Sequence, residues 1–397
     1  MILKEMQTYG GIKMTLVQYG DYFYLYVLMI ALIPAIILGL LEKQIKYYGA
    51  FLSILMIIAI MGIGKIFPLF LLAEITLIKV YFILRKKTDN KYLYYFALLC
   101  SMLPVIIFKI SAVTIERSIG FIGLSYLNFK AIQMIIEIYD ESIKEVSILK
   151  TLYFFLFFPT LISGPIDRSR RFENDLEKNI NRKEYMTDYL YFGIKRIIRG
   201  VLYKFIIADL ISALWMSKIP TNVTFVNSLN YMYAYSLYLF FDFAGYTAFA
   251  VGTSYILGIR LPENFNKPFL SKDMKEFWTR WHISLSKWFG DYIYSRFVLN
   301  SMRNKRFKNR IVASHMGQLL TMLIMGAWHD LKWIYIIYGL YQGIVLVGTD
   351  IYQRRSKFYK AHKKEKWFQY IQIVVTFHIA CFGLLLFSGY LSNIWSF

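Results

Sequence analysis

The chain has 397 residues, 57% of them hydrophobic, 19% aromatic and 18% charged, with a formal net charge of +21. A soluble protein of this length would show more charge around two or three cores. Here the apolar residues come in runs of about 18 or more, long enough to cross the hydrocarbon layer as helix. The basic residues gather in short loops between those runs, the pattern of cytoplasmic loops in a membrane protein, so nucleic acid is not an expected partner.

The predicted fold is all-α. It is a polytopic membrane protein forming a single domain over 1–397, with about eleven transmembrane helices plus interfacial or re-entrant helices. The first 22 residues are largely polar and no small-residue cleavage pattern follows the first apolar run, so no removable signal peptide is expected. Spans are predicted near 23–41, 49–63, 66–84, 92–113, 119–138, 147–164, 187–214, 226–258, 311–327, 331–351 and 368–392. The run at 226–258 is long enough for a bent or double element. Lys43 and Lys46, then Arg85, Lys86, Lys87 and Lys91, flank the pair at 49–84. Both loops are expected in the cytoplasm, with a turn outside near Gly62 and Gly64. Cys100 and Cys381 lie in apolar runs and read as core residues.

Between 270 and 294 the pattern changes. Met274, Trp278, Trp281, Leu285 and Trp288 recur at spacings of four and three, with Lys272, Lys275, Glu276, Arg280 and Lys287 on the other face. This predicts one amphipathic helix that lies in the membrane interface or caps a bundle, with His282 at the border of the apolar stripe. The densest basic clusters, Arg296 to Arg310 and Arg354 to Lys366, flank the hairpin at 311–351. Its first arm reaches roughly 24 Å at the helical rise. That leaves the apex, Trp328-His329-Asp330, inside the membrane or near its outer edge.

The chemistry has few candidates. The five histidines (282, 315, 329, 362, 378) form no i, i+4 pair and have no Cys or carboxylate at ligand spacing, so no metal site is expected. Phosphate-cradling loops and a Gly-x-Ser-x-Gly elbow are absent. Histidine base chemistry remains, because an imidazole titrates near neutrality and can take a proton from an attacking hydroxyl. An ionisable group at membrane depth marks a functional position by default, and His329 is placed for it, between Trp328 and Trp333. Asp242, alone among aromatics, reads either as a paired structural charge or as a site residue.

Several segments, in this order, resemble the membrane-bound O-acyltransferases. They are Phe158-Pro159-Thr160-Leu161-Ile162-Ser163-Gly164-Pro165-Ile166, Phe241-Asp242-Phe243-Ala244-Gly245-Tyr246, Asn264-Phe265-Asn266-Lys267-Pro268-Phe269, Phe277-Trp278-Thr279-Arg280-Trp281-His282-Ile283-Ser284-Leu285-Ser286, and Trp328-His329. Asp291-Tyr292-Ile293-Tyr294-Ser295-Arg296-Phe297-Val298 and Tyr338-Gly339-Leu340-Tyr341-Gln342-Gly343 are most similar to the branch acting in teichoic acid D-alanylation. The chain departs from the family pattern at Asp330, where a small residue is usual, and at Thr279 and Gly290, where Arg is usual.

The resemblance implies an O-acyltransferase of the cell membrane. It would move D-alanine from a phosphopantetheine thioester on a cytoplasmic carrier protein towards (lipo)teichoic acid outside, together with extracellular or membrane partners of that process. No cofactor is expected to be bound permanently, since the carrier supplies the phosphopantetheine arm. His329 corresponds to the family's essential histidine and His282 to its second one. Trp281, Ser284, Trp328 and Asp242 are candidates for lining the site. Val298, Leu299 and Met302, set among Arg296, Arg303, Lys305 and Arg306, are expected to dock the carrier. The alternatives are an O-acetyltransferase for a secreted polysaccharide, of the alginate type, and a transporter or flippase. The chain shows no internal repeat of the kind many transporters carry.

Overall fold

At membrane depth no water is present to satisfy backbone N–H and C=O groups, and a helix satisfies them within one segment. The computed structural model describes residues 16–394 except 63, 115–119 and 221, and it is helical as the apolar runs require. Residues 1–15 of the polar N-terminal stretch lie outside the described residues, as do the predicted span ends at 63 and 119. Among the described residues the one extended pairing is an isolated antiparallel bridge between Phe265 and Trp281.

In chain order the helices are α1 (Tyr22–Leu40), α2 (Ile45–Met61), α3 (Ile66–Arg85), α4 (Lys91–Thr114), α5 (Leu124–Tyr139), α6 (Ile148–Leu156) and α7 (Ser169–Glu177). A continuous run with two π-helical stretches follows, α8 (182–214), then α9 (Phe225–Ile256), α10 (Met274–Arg280), α11 (Ile283–Phe289) and α12 (Ser295–Arg303). The last four are α13 (Arg310–His329), α14 (Trp333–Arg355), α15 (Lys357–His362) and α16 (Lys366–Ser388). Six of them, α1, α3, α4, α13, α14 and α16, are long and apolar enough to cross a membrane.

Three predicted elements take a different form. The run at 147–164 is helical only to Leu156, because Phe157 turns to extended backbone and Pro159 opens a short 3₁₀ turn. Proline lacks the N–H that an α-helix needs there, and its ring crowds the preceding residue. The run at 226–258 is one unbroken helix of 32 residues. The amphipathic stretch is two short helices, α10 and α11, broken at Trp281-His282. Its stripe still behaves as the spacing predicts: Met274, Trp278, Trp281, Leu285 and Trp288 are all buried.

The chain forms two compact units, one of residues 1–201 with 245–262 and one of 202–244 with 263–397. In the first, polar residues that the sequence reading passed over join the helices. Glu74 on α3 and Ser101 on α4 are both buried, and the Ser101 carbonyl accepts from Asn128 Nδ2 on α5 at 2.5 Å. Lys130 on α5, also buried, donates to the Phe154 carbonyl at 2.7 Å and to Thr160 Oγ1 at 3.0 Å. Such side-chain bonds hold helices together where lipid supplies no hydrophobic drive between them.

In the second unit α13 and α14 form the predicted hairpin, packed backbone to backbone. A Cβ on Gly326 would lie 2.3 Å from the Tyr335 carbonyl oxygen, and one on Gly339 2.4 Å from that of Met322. Only glycine permits that approach. Polar links tie α10 to α14, among them the Lys275–Asp350 ion pair, Lys275 Nζ to Gln353 Oε1 at 3.2 Å, Gln353 Nε2 to Asp273 Oδ2 at 2.8 Å, and Trp278 Nε1 to Gln342 Oε1 at 3.3 Å. These links belong to the same unit as both candidate histidines.

Candidate active site

His329 is the last residue of α13. The backbone turns extended at Asp330, whose carboxylate accepts the Leu331 N–H at 2.8 Å, and α14 starts three residues later at Trp333. The imidazole is half-buried and walled by aromatic rings. Trp328 lies 4.8 Å from it, Phe387 of α16 4.9 Å, Tyr338 6.3 Å and Tyr335 6.4 Å between centroids. Rings of this kind keep water away from the faces of the imidazole they cover.

His282 is held differently. It is 5% exposed and sits at φ 44°, ψ 52°, the left-handed region that costs a non-glycine residue about 1–2 kcal/mol. A distant loop imposes that conformation. Asn266 donates its N–H to the Arg280 carbonyl at 3.0 Å, and Ile283 donates to the Asn264 carbonyl at 3.0 Å. Ser284 donates its N–H to Asn264 Oδ1 at 3.1 Å. Phe243 of α9 meets the imidazole edge-to-face at 4.8 Å. Burial, and next to it the charge of His329, push the His282 imidazole down to about 3, so it is neutral at physiological pH. The two histidines therefore lie within electrostatic reach of each other, in one unit, although 47 positions separate them in the chain.

The other predicted lining residues divide. Trp281 is buried in an aromatic cluster, stacked on Phe277 at 5.6 Å and edge-on to Phe265 at 5.1 Å. Ser284 is buried on the Asn264 pin, and Trp328 touches both His329 and Phe289. Asp242 forms an ion pair with the buried Lys204. Among the described residues no three of His, Cys, Asp and Glu converge as metal ligands would.

The docking residues do not share one surface. The register of α12 turns Val298, 8% exposed, towards Gly317 on α13, while Leu299 at 69% and Met302 at 40% face outward. Val298 is thus a packing residue, a correction to the docking trio. Arg303, Lys305 and Arg306 are exposed beside the remaining two. Sequence reasoning gave no role to Asn264, the residue that positions the His282 turn. Its motif, Asn264 to Phe269, was visible, but its partners lie across a long stretch of chain.

The chain is thus an all-α protein with several membrane-length helices, and its two candidate histidines are each set among aromatic rings. The profile of the membrane-bound O-acyltransferase family matches residues 53–392, and the chain belongs to that family. It is therefore a multi-pass membrane acyltransferase. Among similar proteins, the teichoic acid D-alanyltransferase of Bacillus subtilis is 43% identical over 94% of this chain and 98% of its own length. The teichoic acid D-alanyltransferase of Streptococcus thermophilus is 38% identical over 95% and 96%. A probable alginate O-acetylase of Pseudomonas aeruginosa is 34% identical over 57% of this chain and 42% of its own length.

Proposed function

We propose that this protein transfers D-alanine to teichoic acid, taking the acyl group from a thioester on a small carrier protein. The observation that carries the reading is the half-buried His329 at the apex of the spanning hairpin, walled by Trp328, Tyr338 and Phe387 and within electrostatic reach of His282. The D-alanyltransferases described above match along nearly the whole chain, whereas the alginate-type relative matches over 57% of it. That difference favours the D-alanyl substrate over an acetyl one.

The thioester at the end of a phosphopantetheine arm supplies an activated acyl group, so transfer needs no nucleotide. His329 takes the proton of the attacking hydroxyl as its oxygen bonds to the acyl carbon. When the carbon–sulfur bond breaks, the same imidazole returns that proton to the departing sulfur. An ester and a thiol result, with no net proton gained or lost. His282, neutral and locked by the Asn264 pin, is suited to orient the acyl group. It has no charge to neutralise and little freedom to move.

The carrier would dock on Leu299 and Met302, ringed by Arg296, Arg303, Lys305 and Arg306, on the cytoplasmic face. An apolar patch within positive charge fits an acidic partner, the charge steering encounter and the patch holding it. Leu299→Asp is expected to abolish capture of purified carrier while leaving insertion intact, and undiminished capture would remove the patch from the docking role. For the reaction itself, mass spectrometry of wall polymer from cells with and without this protein should show D-alanyl ester only in the first. Acetyl ester in its place would transfer the reading to the polysaccharide acetylases.

A further inference from the structure

The turn between α3 and α4 joins two membrane-spanning helices, so residues 86–90 lie at the headgroup level of the bilayer. A cavity of about 450 Å³ opens there, between the end of α3 and the end of α5. Four cations line it, Arg85, Lys86, Lys87 and Lys144, against two carboxylates, Asp89 and Glu141, a surplus of two positive charges. Both carboxylates are already taken. Arg85 holds Asp89 at 3.0 Å through one guanidinium nitrogen and Glu141 at 3.0 Å through another, and it also caps the Tyr139 carbonyl. Lys86 leans over the Phe82 ring at 4.5 Å. Lys87 and Lys144, both exposed, are left facing the cavity with no carboxylate to neutralise them.

The floor of the cavity is apolar. Phe82, Ile138 and Ile143 are buried beneath the lysines, and the Thr88 hydroxyl stands at the rim. Just below, on α3 and α4, Ile83, Leu84, Tyr92 and Tyr95 are exposed, as side chains that meet acyl chains are. The arrangement matches one molecule: a negative head for the lysines, a glycerol-sized body for the cavity, and tails for the apolar flank. We propose that this cavity is a binding site for an anionic glycerophospholipid, with the phosphodiester held by Lys87 and Lys144 and supported by Lys86. Basic pockets between membrane helices are a recurrent form of headgroup recognition. The residues of this cavity belong to the first compact unit and both histidines to the second.

The test uses the full-length protein, purified in detergent and titrated with phosphatidylglycerol or phosphatidylcholine under native mass spectrometry. The wild-type protein is expected to retain phosphatidylglycerol in preference to phosphatidylcholine. Each lysine near an anionic lipid contributes about fivefold in affinity, so Lys87→Gln with Lys144→Gln should weaken phosphatidylglycerol about 30-fold and remove its preference over phosphatidylcholine. Lys87→Arg with Lys144→Arg should keep the preference. An unchanged melting temperature in phosphatidylcholine micelles confirms that the glutamine variant is folded. If that variant retains phosphatidylglycerol like the wild type, the site is overturned. It is equally overturned, in favour of a soluble phosphate source, if inorganic phosphate displaces the lipid and is itself retained.

Discussion

Each of two turns in the second unit puts a histidine directly after a tryptophan, yet the two imidazoles are held in opposite ways. At Trp328-His329 the backbone is ordinary helix to the last residue and the ring is half-buried among aromatics. At Trp281-His282 the backbone is forced into the left-handed region, the ring is buried, and a loop some 20 residues upstream imposes the break by hydrogen bonds. The first arrangement leaves the ring half-exposed on an ordinary helical backbone. The second buries it as a fixed, neutral group. Proximity of two histidines therefore does not imply two equivalent acid–base residues.

The strongest way to break this contrast is to exchange the roles. His329→Ala is expected to lower D-alanyl transfer by about 10²–10⁴-fold, the contribution of a general base, with insertion and melting temperature unchanged. His282→Ala should lower both transfer and melting temperature. If the two variants lose transfer equally and neither loses stability, the distinction fails.

Separating the arms of the hairpin comes next. Gly326→Ala places a Cβ against the Tyr335 backbone oxygen, which cannot move aside as a side chain end could. Overpacking of this sort costs about 1–3 kcal/mol, and thermal unfolding in detergent should show it. The same substitution at Gly348, where no atom lies within 4 Å of an added Cβ, should leave stability nearly unchanged.

Asn264→Ala removes the side-chain acceptor that pins the Ser284 N–H. Leaving that buried group unsatisfied costs about 1–3 kcal/mol, part of which relaxation around the turn recovers. Transfer should fall along with stability, because the His282 turn loses its brace. Loss of stability with full transfer would show that the position of His282 is not critical.

The smallest effect is in pH. Folding lowers the His282 imidazole from 6.5 to about 3, so the folded state binds fewer protons than the unfolded one. Its contribution to stability is complete above about pH 6.5 and is lost as pH falls towards 3. Melting temperatures at pH 7.5 and pH 5 should differ less in His282→Gln than in the wild type. Equal differences in both proteins would exclude His282 as the source.

The apolar runs, the basic loops and the Trp-His stretches were legible in the sequence because each is a local property. A run of apolar residues dictates a membrane helix wherever it packs, and a spacing of three and four marks the buried face of α10 and α11 even across their break. The all-α fold, the hairpin that presents His329 and the family resemblance follow from that. What only the tertiary structure decided was set by partners far apart in the chain. The break at His282 needs Asn264 and Asn266, the charge of Asp242 needs Lys204, and the burial of Val298 needs Gly317. The lysine cavity needs the end of α3 beside residues that follow α5. In each case the energy lies in a hydrogen bond, an ion pair or a close contact between distant segments, and no spacing along the chain reveals which segments will meet.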